Sequence, residues 1–131
     1  YGLEGPFGGV QATRAQAASS TFRPESHFKV ILRPRAELTG PAPQLGVFVS
    51  TPGGPLVAAP QAIITRGAGG ALRVQARAGA LFSQPGPHTV HLVLAPSGAE
   101  LPALAGQAPA AAREQSPATR WLTVDVEHIS R

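Results

Sequence analysis

The chain has 131 residues, a length that fits one domain with one hydrophobic core. Apolar residues make up 43% of the sequence but aromatic residues 5%, so Val, Leu, Ile and a few Phe must form that core. The absence of cysteine excludes disulfides, thiol catalysis and cysteine-ligated metals. The 15 glycines and 14 prolines break long helices and favour many short strands.

The net charge is +4, and the basic residues are ten arginines and one lysine. The arginines are scattered and are not grouped with stacking aromatic residues, so we expect no nucleic-acid partner. A GC-rich genome also enriches Arg, Ala, Gly and Pro through its codons, so composition alone does not indicate a polyanion partner. No apolar run approaches the roughly 18 residues of a membrane span. Because the sequence begins at Tyr1 without Met, we expect a processed piece, linked to a membrane only through an anchor outside it.

Residues 1–9 are rich in glycine and predict a linker or an edge segment. A single β-sandwich domain is expected over residues 10–131, with a short first strand at residues 10–14. The next strand pattern covers residues 27–33 and ends at Pro34, because proline cannot donate a hydrogen bond inside a sheet. Its residues alternate between two faces, with Phe28, Val30 and Leu32 on one and Lys29, Ile31 and Arg33 on the other.

The middle of the chain continues this pattern of short apolar segments separated by turns. Residues 45–49 are apolar on both faces, which is typical of a central strand. Residues 51–55, TPGGP, predict a turn, and short strands follow at residues 56–57 and 62–65. Pro60 between them favours a position at a sheet edge.

Two strong strand patterns follow, joined by a short corner. Residues 72–77 alternate with period two, and residues 87–94 form a longer, more apolar strand. Residues 78–82 between them are typical of one short turn of helix. The apolar side chains of Leu81 and Phe82 are expected to fill this corner. We therefore expect two neighbouring strands of a β-sandwich.

The second of these strands begins with Pro85-Gly86-Pro87-His88. In many sandwich domains a tyrosine stands where His88 stands, and its hydroxyl anchors the corner by a hydrogen bond to the backbone. This sequence departs from that pattern, and a ring nitrogen of His88 would have to replace the hydroxyl.

Residues 102–118 form an Ala/Pro-rich insertion in the domain. Residues 109–115 within it fit either a short helix with Pro109 at its first position or a mobile loop. The last strand pattern, residues 120–127, has the cleanest alternation in the sequence. Its inward residues are Leu122, Val124 and Val126, and its outward residues are Trp121, Thr123, Asp125 and Glu127.

Together these segments predict an all-β fold, an immunoglobulin-like antiparallel β-sandwich of about seven strands. No segment between the strands is long enough for the helical crossovers that a parallel sheet needs. A small barrel is the competing architecture.

The histidines show no metal-binding pattern. His27, His88, His91 and His128 make no HxH, HxxxH or HExxH motif, so we expect no metal site and no cofactor. On a strand, His88 and His91 would point to opposite faces because they are three residues apart.

The other residue types that carry catalysis are equally sparse. Asp125 and Glu127 share an outward strand face, which is typical of a solvated surface and not of catalytic carboxylates in a pocket. No GxSxG is present, and the glycines of residues 67–70 lack the Lys-Ser/Thr of a phosphate loop. We therefore predict no catalytic residue and a protein that is not an enzyme.

The first candidate binding residues are basic. In an immunoglobulin-like order the strand with Lys29 and Arg33 lies beside the strand with Arg73 and Arg77, and Arg14 would flank their common outer surface. Like charges crowded on a sheet are unfavourable unless counter-ions or partners intervene. We hypothesise a contact surface for an acidic protein partner or an anionic envelope component, and the alternative is an arginine-rich face without function.

Trp121 is the second candidate binding residue. An exposed tryptophan on a sandwich can stack on a sugar ring. The alternative is that Trp121 caps an open end of the sheet.

Residues 22–34 resemble a pattern in extracytoplasmic domains of bacterial membrane proteins similar to anti-sigma factors. In those domains the motif RPxSxFxxxLRP is followed by a Gly-Pro loop and later by a Pro-Gly corner. This sequence has the motif at Arg23 to Pro34, the loop at Gly40-Pro41 and the corner at Pro85-Gly86. The similarity covers roughly residues 10–127, and no functional residue is carried over. It implies an envelope sensor or scaffold domain on the periplasmic or extracellular face, next to a membrane helix and a zinc module that this sequence lacks.

The function expected from all of this is a non-enzymatic extracytoplasmic binding or sensor domain that acts through protein or ligand contacts. One alternative is a carbohydrate-binding accessory module, which would depend on Trp121. Another is a hydrolase whose site is dispersed over loops, which would show as a deep pocket with two converging carboxylates.

Overall fold

A computed structural model describes residues 2–7, 21–34, 43–82, 84–95, 104–115 and 119–129. The strand expected over residues 10–14 lies outside this range. The strands are β1 Gly2–Phe7, β2 Thr21–Phe22, β3 His27–Arg33, β4 Gln44–Ser50, β5 Val57–Ala58, β6 Ile63–Arg66, β7 Leu72–Arg77, β8 Gly86–Ala95 and β9 Arg120–His128. Two short helices, α1 Ala78–Leu81 and α2 Pro109–Gln115, complete the described elements together with a 3₁₀ turn at Ala68–Gly70.

The strands form two sheets, which confirms the all-β sandwich. A four-stranded sheet has the order β1-β3-β7-β6, and a five-stranded sheet has the order β2-β9-β8-β4-β5. All neighbours are antiparallel except β2 and β9, which pair in parallel. The described residues thus contain nine strands where about seven were expected, because the additional strands carry no clear alternation. The immunoglobulin-like connectivity stays a prediction.

The main core lies between the sheets and follows the alternation predicted from the sequence. Val30 pairs with Val74 at the centre of the four-stranded sheet, and both side chains are fully buried. Val90 and Val124, paired at the centre of the five-stranded sheet, are also buried in the same cluster. Removing each such valine or leucine side chain from water stabilises the fold by about 1.5–3 kcal/mol.

Strands β7 and β8 are successive in the chain but lie in different sheets, so they are not hydrogen-bonded neighbours. Helix α1 is the short helical turn predicted at residues 78–82, but it carries the chain from one sheet to the other and does not join two neighbouring strands. Its Gly79 amide donates to the carbonyl of Pro24 at 2.9 Å, and a Cβ on Gly79 would lie 3.0 Å from that oxygen. The close approach therefore favours glycine at this position, because a Cβ would fit only if Pro24 moved by a few tenths of an ångström. Leu81 and Phe82 are buried in the corner, as expected.

An aromatic cluster fills this end of the sandwich. Phe22 and Phe28 lie with ring centroids 5.3 Å apart, and Phe82 contacts both of them as well as His88 and His128. Nδ1 of His88 lies 2.9 Å from the carbonyl oxygen of Gly86, so a ring nitrogen does take the place of the corner hydroxyl. Since a carbonyl oxygen can only accept, the proton of His88 is on Nδ1.

A second, smaller core lies on the outer face of the five-stranded sheet. Phe48 and Val93 of the sheet pack there against Leu104 and Ala112 of the insertion, with Trp121 at the rim. Helix α2 therefore covers this face, which explains why β4 is apolar on both sides. Of the two structures that the sequence left open for residues 109–115, the helix is the one observed.

Candidate binding surface

The outer face of the four-stranded sheet gathers the four basic residues that the sequence singled out. In the register of β3 and β7, His27 pairs with Arg77, Lys29 with Gln75 and Ile31 with Arg73. Residues paired in this way point to the same side of a sheet. We call the surface formed by Lys29, Arg33, Arg73 and Arg77 the basic face.

The basic face is open to solvent. Arg33, Arg73 and Arg77 are exposed and Lys29 is half-buried. The side chains of Arg73 and Arg77 make no hydrogen bond or ion pair with any residue that the structure describes. In the register of the neighbouring strands, Glu4 of β1 pairs with Ile31 of β3.

Repulsion within the basic face is weak. Lys29 is a diagonal neighbour of both Arg73 and Arg77 in the register, and diagonal neighbours in a sheet are about 7–8 Å apart. Two unit charges at that distance in water repel by about 0.5 kcal/mol, and salt reduces this further. The sheet therefore tolerates the face without a partner, while an acidic partner would gain from all of its charges at once.

At one end of the basic face is a depression that the sequence analysis did not foresee. It is lined by three arginines, Arg33, Arg66 and Arg73, together with Ile31 and Leu72, and its volume is about 300 Å³. Arg66 is the last residue of β6, one position beyond the expected strand, and it pairs with the buried Leu72, so the register places it on the other side of the sheet from Arg73. Its Nη1 donates to the carbonyl of Pro43 at 3.4 Å, a long hydrogen bond.

Trp121 lies on the opposite sheet, away from the basic face. Its indole N–H donates to Oγ1 of Thr119 at 2.9 Å, the Arg113 guanidinium lies 5.3 Å from its ring centre, and its ring meets His91 edge-on at 5.8 Å. The side chain is half-buried at the rim of the small core, so these contacts already occupy part of the ring. Stacking of a sugar on Trp121 stays a prediction, which a glycan screen comparing wild type with Trp121→Phe would test.

A buried polar pair lies under helix α2, and the sequence analysis missed it. Oγ of Ser50 and Nε2 of His91 are 2.8 Å apart, and both residues are buried. Nδ1 of His91 is buried without a partner among the described residues. Burial lowers the pKa of His91, the nearby charge of Arg113 lowers it further, and Asp125 opposes this shift.

The geometry of this pair determines what it can do chemically. A buried unpaired N–H costs more than a buried unpaired lone pair, so the proton of His91 belongs on Nε2, which donates to Ser50. A catalytic histidine would need the opposite arrangement, with Nε2 accepting from the serine and a carboxylate holding Nδ1. Asp125 instead accepts a hydrogen bond from Thr89 at 2.9 Å.

The remaining sequence candidates are distributed as follows. Asp125 and Glu127 are exposed on the outer face of β9, as predicted. His88 and His91 lie on opposite faces of β8, as their spacing predicted. Within the described ranges no group of three or more His, Asp or Glu residues is arranged to hold a metal ion, and Arg14 lies outside those ranges.

The fold and this surface define a class, an all-β sandwich with one basic sheet face. Comparisons with protein-family models, with curated proteins and with solved structures give no significant match to the chain. Among the described residues, neither helix has the length or the apolar character that crossing a membrane requires.

Proposed function

We propose that this chain is a non-enzymatic binding domain that contacts an acidic partner through its basic face. The single observation that carries the proposal is the register of β3 and β7, which gathers Lys29, Arg33, Arg73 and Arg77 on one open surface. The partner is an acidic protein surface or an anionic component of a bacterial envelope.

The chemistry of the basic face suits such a partner. Three of its four charges are guanidinium groups, whose planar forks match the two oxygens of a carboxylate or the terminal oxygens of a phosphate. The strands beneath them are fixed by the fully buried core residues Val30 and Val74, so the arginines project from a rigid base. A rigid base reduces the entropy lost when the partner binds.

We further propose that the domain is immunoglobulin-like and acts as a sensor or scaffold on the periplasmic or extracellular face of a bacterial membrane. Two observations support this. The sequence of residues 23–34 resembles the corresponding phrase in extracytoplasmic domains of membrane proteins similar to anti-sigma factors. The order β1-β3-β7-β6 also corresponds to the A-B-E-D sheet of immunoglobulin domains, with β9, β8 and β4 in the places of G, F and C.

Charge reversal with a matched control tests the binding proposal. The probes are poly-L-glutamate, as a mimic of an acidic protein, and phosphatidylglycerol vesicles, as a mimic of an anionic envelope surface. The double variant Arg33→Glu/Arg73→Glu changes the net charge from +4 to 0. Arg23→Glu/Arg120→Glu makes the same change at two exposed arginines outside the basic face.

We expect wild type to bind one of the probes at low salt, and the variant reversed on the basic face to bind at least about tenfold more weakly, since two charged contacts are lost. The control should stay within about threefold of wild type. Whichever probe binds identifies the kind of partner. Equal weakening by both variants, or no binding of wild type to either probe, would contradict the proposal. Circular dichroism verifies that each variant folds.

A further inference from the structure

We infer that the outer edge of β6 pairs with an extended acidic segment of a protein partner, which adds to the four-stranded sheet as a further strand. This inference rests on the proposed function, because the charge of the basic face selects the partner. It deepens that function by choosing a protein over an anionic envelope surface. It also assigns backbone hydrogen bonds of β6 to the contact, in addition to side-chain charges.

Strand β6 is the last strand of its sheet, so one of its sides has no neighbour among the described strands. The last pair in its register with β7 is Arg66 and Leu72. The next pair is hydrogen-bonded, because the Gly67 amide donates to the carbonyl of Ala71 at 2.7 Å. Hydrogen-bonded and non-hydrogen-bonded pairs alternate along an antiparallel ladder. The N–H and C=O groups of Arg66, and of Ile64 two positions earlier, therefore point away from β7.

The other side of β7 gives the same result independently. The Ala78 amide donates to the carbonyl of Ser26 at 2.8 Å, one pair beyond the register of β3 and β7. By the same alternation, the backbone groups of Val74 point to β3 and not to Ile64, which is opposite Val74 on β6. In the part of the chain that the structure describes, the edge-facing groups of Ile64 and Arg66 have no hydrogen-bond partner.

The inward face of this edge is apolar and incompletely covered. Ile64 is opposite the buried Val74, so its side chain is on the core side of the sheet, and yet it is 39% exposed. Residues that are opposite each other in adjacent strands point to the same side. An added strand that presents apolar side chains on this side therefore extends the core over Ile64.

The outer face of the same edge meets positive charge. Thr65 is opposite Arg73, and the strands β3, β6 and β7 contain no Asp or Glu. A residue of the added strand beside Thr65 lies two strand spacings, about 10 Å, from the backbone of Arg73. A glutamate and an arginine close this distance by leaning toward each other across the short Thr65 side chain. The partner segment therefore alternates apolar and acidic residues.

A second copy of the chain suits this edge less well. Its own β6 has no carboxylate, and pairing would bring together two chains that each have a net charge of +4. An anionic lipid surface has no peptide groups to pair with the strand. An extended acidic segment satisfies both the edge-facing backbone groups and the charge of the basic face.

Selective N-methylation of a peptide tests the inference, because it removes amide donors without changing the charge. The probe is a capped peptide of about eight residues in which valine and glutamate alternate. One derivative is methylated at the valine amides and the other at the glutamate amides. In an antiparallel pair with the valines inward, the valine amides face Ile64 and Arg66, and the glutamate amides face solvent. Amide chemical shifts of the whole chain report binding.

A pair of proline variants tests the same contact from the side of the protein. Ile64→Pro removes an edge-facing N–H, and an edge strand tolerates proline where its N–H faces solvent. Ala58→Pro is the matched control on β5, the edge strand of the other sheet. The Ala59 amide donates to the carbonyl of Val47, so the N–H of Ala58 also faces away from its sheet. Circular dichroism verifies that both variants fold.

We expect the glutamate-methylated peptide to bind wild type within about twofold of the unmodified peptide, and the valine-methylated peptide to bind at least about tenfold more weakly. Ile64→Pro should weaken binding of the unmodified peptide by about tenfold, and Ala58→Pro by less than about twofold. Equal binding of the two methylated peptides, equal effects of the two proline variants, or no binding would overturn the inference. So would a dimer in analytical ultracentrifugation that Ile64→Pro dissociates and the peptide does not, because a second copy would then occupy the edge.

The result also separates this inference from the proposed function. If both methylated peptides bind as the unmodified one does, and Arg33→Glu/Arg73→Glu abolishes their binding, pairing at β6 is wrong and the basic face remains a binding surface. If the peptide needs its valine amides but binds Arg33→Glu/Arg73→Glu as tightly as wild type, the proposed function fails and strand pairing at β6 remains.

Discussion

His91 is a buried ionisable side chain between the five-stranded sheet and helix α2, bonded to Ser50 and in edge contact with Trp121. Its pKa is lowered from 6.5, first by burial and then by the charge of Arg113, while Asp125 works in the opposite direction. The folded protein therefore keeps His91 neutral at pH values where the unfolded chain already binds a proton. This difference makes the free energy of unfolding depend on pH.

We expect the free energy of unfolding to be unaffected by His91 well above pH 6.5 and to fall as the pH decreases below it. Once the pH is below the lowered pKa of His91 in the folded state, His91 causes no further decrease in the free energy of unfolding. Urea unfolding at about pH 7.5 and about pH 5.5 measures the change. His91→Gln should lose less stability between the two pH values than wild type, whereas His27→Gln, at an exposed position, should behave as wild type does. An identical pH dependence in wild type and His91→Gln would refute this role.

The Ser50 hydroxyl is expected to stabilise the fold through the same pair. Ser50→Ala leaves Nε2 of His91 buried without a partner, as Nδ1 already is, which should cost about 1–3 kcal/mol. Denaturant unfolding near pH 7.5 measures this cost. In a His91→Leu background, where no polar ring remains, Ser50→Ala should cost clearly less, and an unchanged cost would show that the hydrogen bond is not the reason.

Single-residue orientation was largely predictable, because strand alternation assigns each side chain to a face. The inward set of β3 and β9 and the outward set that includes Asp125 and Glu127 follow from this rule. The Ser50–His91 pair was not predictable. It depends on the register between β4 and β8, which are distant in the sequence, and one sequence does not contain that register.

Helix α2 is the element whose role is most easily tested. Ala112 is fully buried against the outer face of the five-stranded sheet, whereas Ala111, one position earlier, is exposed. Ala112→Glu should therefore displace the helix and expose Trp121, while Ala111→Glu should not. The chain has one tryptophan, so its fluorescence reports the change directly.

We expect the emission of Ala112→Glu to shift to longer wavelength and its free energy of unfolding to fall by at least about 2 kcal/mol, since a charged group has no partner in that core. Ala111→Glu should stay within about 0.5 kcal/mol of wild type. An unshifted spectrum in Ala112→Glu would mean that the helix does not cover Trp121.

Strand β6 is an exposed sheet edge with an apolar side chain, Ile63, that is 65% exposed. Exposed apolar edges promote pairing between chains, and a lysine at such a position discourages it. Ile63→Lys should therefore reduce self-association at high concentration and change the free energy of unfolding by less than about 1 kcal/mol. Analytical ultracentrifugation gives the readout, with Thr65→Lys as the control at the same edge. Stronger association in Ile63→Lys would exclude this account of the edge.

At the level of elements, the strong patterns were predicted well and the weak ones were not. The positions of β3, β4, β7, β8 and β9 agree with the sequence within one or two residues. Strand β2 was missed because its two residues are too few to alternate, and its existence depends on parallel pairing with β9. Helix α2 was left open, because Ala-rich segments of this length become helical only when a surface such as Phe48 and Val93 receives them.

For the whole molecule, amphipathic strands and turn residues were enough to predict two facing sheets, since each strand has one apolar side to bury. The basic face was predictable as well, once the strands with Lys29 and Arg73 were assumed to be neighbours. Whether the basic face binds a partner does not follow from its charge alone. The repulsion within the face is small, so the sheet does not need a partner to neutralise it. The role of the basic face therefore depends on where an acidic partner binds.

A chemical-shift map of the wild-type domain during titration with the acidic probe that binds it tests this most directly. If the basic face is the binding surface, the largest amide shifts fall in β3, β7 and the segment from Ile63 to Gly67, and they fade as salt is raised. Shifts concentrated around Trp121 and helix α2, or spread evenly over both sheets, would contradict the claim that the basic face is the binding surface.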